Sequence, residues 1–139
     1  MSSDQDVDVV RRVYAAVNSN DVATLAEIFA PDMVRHDLTA LIANSEGGEA
    51  VTDFLQMLRQ AMPDLHMELE DVFGDGGRVA ARVTLTGTHN DTFLDAAPTG
   101  KRVSFPAITL YRIENGRVAE AWSLVDWAGA LRQMGIAAV

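Results

Sequence analysis

The sequence predicts an α+β domain, from a change of hydrophobic period half-way along the chain and from the turns that follow it. Up to Met62 the apolar residues recur every three or four positions. Beyond Leu65 they alternate, with Gly74-Asp-Gly-Gly77 and Glu114-Asn-Gly116 as tight-turn signals. With 139 residues, 48% hydrophobic and 22% charged, the chain is long enough for one domain (1–139) with its own core.

Val7, Val10, Tyr14 and Val17 form the apolar face of a first helix, which Asn18-Ser-Asn-Asp21 interrupts. Asn20 or Asp21 caps a second helix bearing Val22, Leu25 and Phe29, and Pro31 forces its end. A short extended piece, Asp32–Asp37, is followed by a loop from Leu38 to Gly48. A third helix buries Val51, Phe54, Leu55, Leu58 and Met62. Four strands follow: Leu65–Glu70, Arg78–Thr88, Arg102–Arg112 and Arg117–Val125, with His89–Lys101 an irregular excursion between the second and third. Asp126 caps a short closing helix with Trp127, Leu131 and Met134. Three helices on a curved, largely antiparallel sheet leave a cone with an apolar pocket, the place for a hydrophobic small molecule.

Several function classes are excluded early. A net charge of −9 argues against a nucleic-acid partner, because phosphate binding needs a basic face. The absence of cysteine removes disulfides, thiolate metal sites and thiol nucleophiles. His36, His66 and His89 lack metal-ligand spacing, so no metal is expected. No apolar run approaches ~20 residues and the start lacks a basic, apolar leader, so the expectation is a cytoplasmic protein without a membrane partner.

Phe29-Ala-Pro-Asp-Met-Val-Arg-His-Asp37, Met62-Pro-Asp-Leu65, Gly87-Thr-His89, Pro98-Thr-Gly-Lys-Arg-Val103, Tyr111-Arg-Ile-Glu-Asn-Gly116, Glu120-Ala-Trp122 with Asp126, and Leu131-Arg-Gln-Met-Gly135 stand in an informative order. Together they resemble the SnoaL-like polyketide cyclases of the nuclear-transport-factor-2-like and ketosteroid-isomerase-like superfamily. The resemblance implies a cofactor-independent cyclase or isomerase acting on a polyketide-like molecule in secondary metabolism and antibiotic biosynthesis, and a homodimer. It leaves open an epoxide hydrolase, a hydroxylase or a non-catalytic binding protein, since one scaffold hosts many activities.

In cyclases of this type the last strand usually reads Glu-His-Trp-Asp, with histidine and aspartate facing the pocket. Ala121 and Ser123 occupy those positions here, so the usual acid–base chemistry is not carried over. The residues left for proton transfer are His36, Asp37 and His89. Asp37 falls near the place of the isomerase's general base, where burial would raise its pKa; the alternative is a solvated edge. Asp91 and Asp95 are carboxylates where the family commonly has glycine, either orienting His89 or lying in solvent. His66 is expected to face solvent, and Asp126 to act as a cap. Phe54, Leu58, Asp91, Phe105, Thr109, Tyr111, Trp122 and Ser123 complete the expected substrate-binding set, with Trp122 on the opposite face from Ala121 and Ser123 by alternation and so read more readily as core.

Overall fold

The computed structural model describes residues 2–136. Helix α1 (Ser3–Asn18) starts in a reciprocal capping box between Ser2 and Gln5 and buries Val10, Val13, Tyr14 and Val17. Asp21 caps α2 (Val22–Ile28) through the Thr24 amide at 3.1 Å. Strand β1 (Phe29–Asp37) then runs nine residues. This corrects the expected boundary: Phe29 belongs to the strand rather than to the second helix. The residue before Pro31 is driven to extended backbone, so the extension begins early. Within the expected loop, β2 (Ser45–Glu46) pairs with β1.

Helix α3 (Gly48–Ala61) is followed by β3 (His66–Asp75), β4 (Arg78–Thr88), β5 (Arg102–Glu114), β6 (Arg117–Val125) and α4 (Trp127–Gln133). The six strands form one sheet in the order β2-β1-β6-β5-β4-β3, and all neighbours are antiparallel except β1 and β6. The parallel pair places the first strand of the chain beside its last.

Alternation decides which residues see the helices. Val79, Ala81, Val83 and Leu85 of β4, and Val103, Phe105, Ala107, Thr109, Tyr111 and Ile113 of β5, are buried on the concave face. On β6 the register with β5 shifts between Arg112 and Ile113, so one residue, Ala119, is left without a partner there. That bulge lets Val118 and Ala121 both point inward, and it puts Ser123 and Val125 on the same side.

Asp126 caps α4 by accepting from the Gly129 amide at 2.8 Å. A Cβ on Gly129 would lie 2.1 Å from that carboxylate, so a larger residue there would turn the Asp126 side chain out of its present position. Trp127 is then driven into the core, among Phe54, Phe93 and Phe105 with ring centroids 5.7–6.1 Å away. No helix among the described residues is long and apolar enough to cross a membrane.

Candidate functional site

The helices and the concave face enclose a cavity lined mainly by apolar groups, including Val17, Met33, Phe54, Leu58, Val83, Leu85 and Ala107. Its free volume is about 70 Å³. That is space for roughly five waters, on the order of 150 Å³ of liquid, and so for a small fused-ring system. Polar groups enter at Tyr14, Arg35, Thr109, Tyr111, Ser123 and Trp127.

Strand register explains why these groups meet. Across β1, β6 and β5, Arg35 stands beside Ala121 and Ala121 beside Tyr111; in the next row Asp37 stands beside Ser123 and Ser123 beside Thr109. The Thr109 and Ser123 hydroxyls are bonded at 3.0 Å. From α1, Tyr14 reaches across the core to Tyr111, with the two phenol oxygens 2.5 Å apart. Burial raises both phenols, Tyr14 well above its ordinary value and Tyr111 to about 12. Both therefore stay protonated near neutral pH. Their mutual bond uses only one of the two O–H groups, and the Thr109 hydroxyl lies within bonding reach of both phenols.

Asp37 has a different setting from the one expected. Its side chain is buried, but it does not line the cavity. It accepts from the Trp127 indole at 2.9 Å and from the Thr39 amide and hydroxyl at 3.0 and 2.5 Å. Arg35 adds long contacts of 3.4 and 3.5 Å. Burial alone would raise this carboxyl, but the bonds from Thr39 and Trp127 and the Arg35 charge outweigh it and hold the pKa below its usual value. The expected upward shift is thus reversed, because donors rather than hydrocarbon surround the group.

Arg35 is the less satisfied partner. Strong guanidinium–carboxylate bonds run at about 2.7–2.9 Å, and those to Asp37 are longer. Its guanidinium lies 4.4 Å from the centroid of the Phe54 ring. Burial lowers its pKa, with the Asp37 charge opposing that fall.

The remaining expected residues are dispersed. His36 sits on the convex face, stacked on Trp122 at 5.5 Å and bonded to Glu120 at 2.7 Å. Trp122 therefore lies outside the cavity, on the side alternation assigned it, but half-buried against His36 and Arg78 rather than in the core as expected. His89 is fully buried beside Thr99, with Nδ1 3.0 Å from that hydroxyl and Nε2 unpartnered, and it does not line the cavity. Asp91 is bonded to Gln60 on the surface side, and Phe105 packs on Trp127 behind the cavity wall. His66 is exposed beside Glu68, as expected. Phe54, Leu58, Thr109, Tyr111 and Ser123 do line the cavity.

Tyr14, Arg35 and Trp127 were not among the expected site residues. A signal existed for two of them. A tyrosine on the apolar face of a helix needs a partner for its hydroxyl, and Arg35 shares strand parity with Asp37.

A curved sheet backed by helices, with an apolar cavity and a few hydroxyls at one end, defines a small-molecule site of the nuclear-transport-factor-2-like fold. The chain belongs to the SnoaL-like polyketide cyclase family, whose sequence model matches residues 7–134. It is similar to the aklanonic acid methyl ester cyclase DnrD of Streptomyces peucetius, 27% identical over 130 residues, covering 93% of this chain and 90% of that one. Among solved structures it resembles IdmH of Streptomyces antibioticus, with TM-score 0.83 and 29% identity over 95% of this chain and 99% of that one. It also resembles AclR of Streptomyces galilaeus, with TM-score 0.84 and 26% identity over 96% and 98% of the two chains.

Proposed function

We propose that this protein is a cofactor-independent cyclase or isomerase acting on a hydrophobic, polyketide-like small molecule in cytoplasmic secondary metabolism. The observation that carries the reading is an apolar cavity with two hydroxyl pairs, Tyr14–Tyr111 and Thr109–Ser123, in which Tyr14 of α1 meets three residues that share one face of the sheet. An apolar wall holds a flat substrate, and donors that stay protonated orient and stabilise its carbonyl oxygens.

Aldol ring closure forms one carbon–carbon bond and moves one proton from the carbon beside a carbonyl to the new alkoxide. It needs no oxidant or reductant. No carboxylate or imidazole lines the cavity among the described residues. The reading therefore rests on a substrate whose proton is already acidic, released to water at the cavity mouth, and on folding that substrate into a reactive geometry. The same absence disfavours epoxide opening, which needs a carboxylate to activate water.

Incubation with aklanonic acid methyl ester, the compound named for DnrD, and with simpler aryl β-keto esters tests this directly. Ring-closed product, formed more slowly by Tyr111→Phe, is expected. Tight binding of such esters without turnover would instead make the protein a non-catalytic carrier.

We also propose that the chain is one domain and forms a homodimer through the convex sheet face. Ile108, Leu110 and Leu124 are exposed there side by side, the first and last more than half so at 55% and 53%.

A further inference from the structure

The cavity has a cation that the aldol scheme does not require. Arg35 is buried and lines the cavity, yet its bonds to Asp37 are long. Asp37 does not depend on it, because Trp127 and Thr39 already supply three shorter bonds. The guanidinium thus keeps donors for something else. Between Arg35 and Tyr111 in their common row lies Ala121, whose side chain is a single methyl group. Adjacent strands are about 4.8 Å apart, so Arg35 and Tyr111 start roughly 10 Å from each other with only that methyl between them. Tyr14 closes the same place from the helix side through its bond to Tyr111.

We propose that Arg35, Tyr111 and Tyr14 form an anion seat over Ala121, and that the natural ligand carries an acidic oxygen, an enolate, phenolate or carboxylate, bound there in its ionised form. The inference builds on the small-molecule reading above and names the class of substrate. A fixed cation beside a protonated phenol, in an apolar cavity, attracts a charged oxygen more strongly than a neutral carbonyl. A ligand arriving as its enolate needs no protein base, which accounts for a cavity without one. The room left by the single methyl group of Ala121 is then the space in which the oxygen sits.

Binding of 2-naphthoate and of methyl 2-naphthoate to the purified full chain, by titration calorimetry near pH 7 and low salt, tests the seat without reference to turnover. The acid is expected to bind at least about tenfold more tightly than its ester, the size of one charge-assisted hydrogen bond. Arg35→Met should erase that preference, Tyr111→Phe should reduce it, and Ala121→Leu should abolish binding of the acid. 2-Naphthol distinguishes the oxygen classes. Its naphtholate absorbance, on binding below the pH at which it ionises in water, assigns the seat to enolate-like oxygens; a preference for naphthoate without that signal assigns it to carboxylates.

Equal affinity for acid and ester in the unaltered protein, or a preference that survives Arg35→Met, overturns the inference. Should Arg35→Met fail to fold, the acid–ester comparison in the unaltered chain and in Tyr14→Phe/Tyr111→Phe decides it. Failure of the anion seat leaves the cyclase reading to its own substrate test. Conversely, anion binding without ring closure of any β-keto ester removes the cyclase reading and leaves the seat.

Discussion

Three consecutive residues of one strand, Arg35, His36 and Asp37, divide their side chains between the two faces of the sheet. On the concave side Arg35 and Asp37 are shut away from solvent, and Asp37 is held by an indole, an amide and a hydroxyl. On the convex side His36 joins Glu120 and Arg112 in a cluster that remains partly in water, with Trp122 beneath the imidazole. The distances do not rank these groups: the convex His36–Glu120 contact is 2.7 Å and the concave Arg35–Asp37 contact 3.4 Å. What separates them is desolvation. A charge removed from water becomes costly when its partners are lost, whereas an exposed pair is replaced by water.

The largest test of that contrast is removal of a carboxylate from each face. Asp37→Ala leaves the Arg35 charge and the Trp127 N–H without a partner and should lower unfolding free energy by about 3–5 kcal/mol in urea titrations. Glu120→Ala should shift the same curve little, and less still at high salt. Equal losses from the two variants would break the comparison.

Packing gives the next test. A Cβ on Gly87 would lie 2.8 Å from Met62 Cβ, against a buried side chain that has little room to yield. Gly87→Ala should therefore cost about 1–3 kcal/mol by overpacking. Its neighbour Thr86 faces the other way, and Thr86→Ala should stay within about 0.5 kcal/mol by thermal or urea melting.

Acid sharpens the electrostatic half. The Asp37 carboxyl is held below its unfolded value, so its contribution is complete above about pH 4 and disappears as pH falls through the lower, folded value. Stability should thus fall on acidification, and Asp37→Asn should flatten that limb. Asp21, Asp64 and Glu120 are also depressed but lie nearer water, so they account for the slope that remains. An unchanged acid limb in Asp37→Asn would mean that the buried carboxylate is not distinctive.

The smallest effect on folding belongs to the convex hydrophobic patch. Ile108→Lys with Leu124→Glu should leave monomer unfolding nearly unchanged while shifting sedimentation from dimer to monomer. A protein that sediments as a monomer before the change would remove the dimer proposal.

Much of this molecule was legible in the sequence because its periods are clean. Alternation along Arg78–Thr88 and Arg102–Arg112 gave both strands and their inward faces, and it correctly grouped Thr109 with Tyr111 and separated Trp122 from Ser123. Local spacing does not report which strands become neighbours. The parallel pairing of β1 with β6 brings Arg35 beside Ala121, and nothing within either segment signals it. For the same reason the sequence leaves Asp37 between an apolar pocket and a solvated edge, whereas its partners include Trp127 from the other end of the chain. Tyr14 was visible as a helix-face residue, but its phenol partner lay in another element.

That pairing also has a consequence for synthesis on the ribosome. Asp37 and Trp127 are 90 residues apart in sequence, and β1 finds its parallel neighbour only when β6 exists. Until then β1 has only the two-residue β2 beside it, leaving an open edge prone to wrong pairing. The cavity's polar floor is accordingly the last part of the molecule that a growing chain can complete. A nascent chain stalled before Arg117 would carry Arg35 and Tyr111 without the strand that sets Ala121 between them.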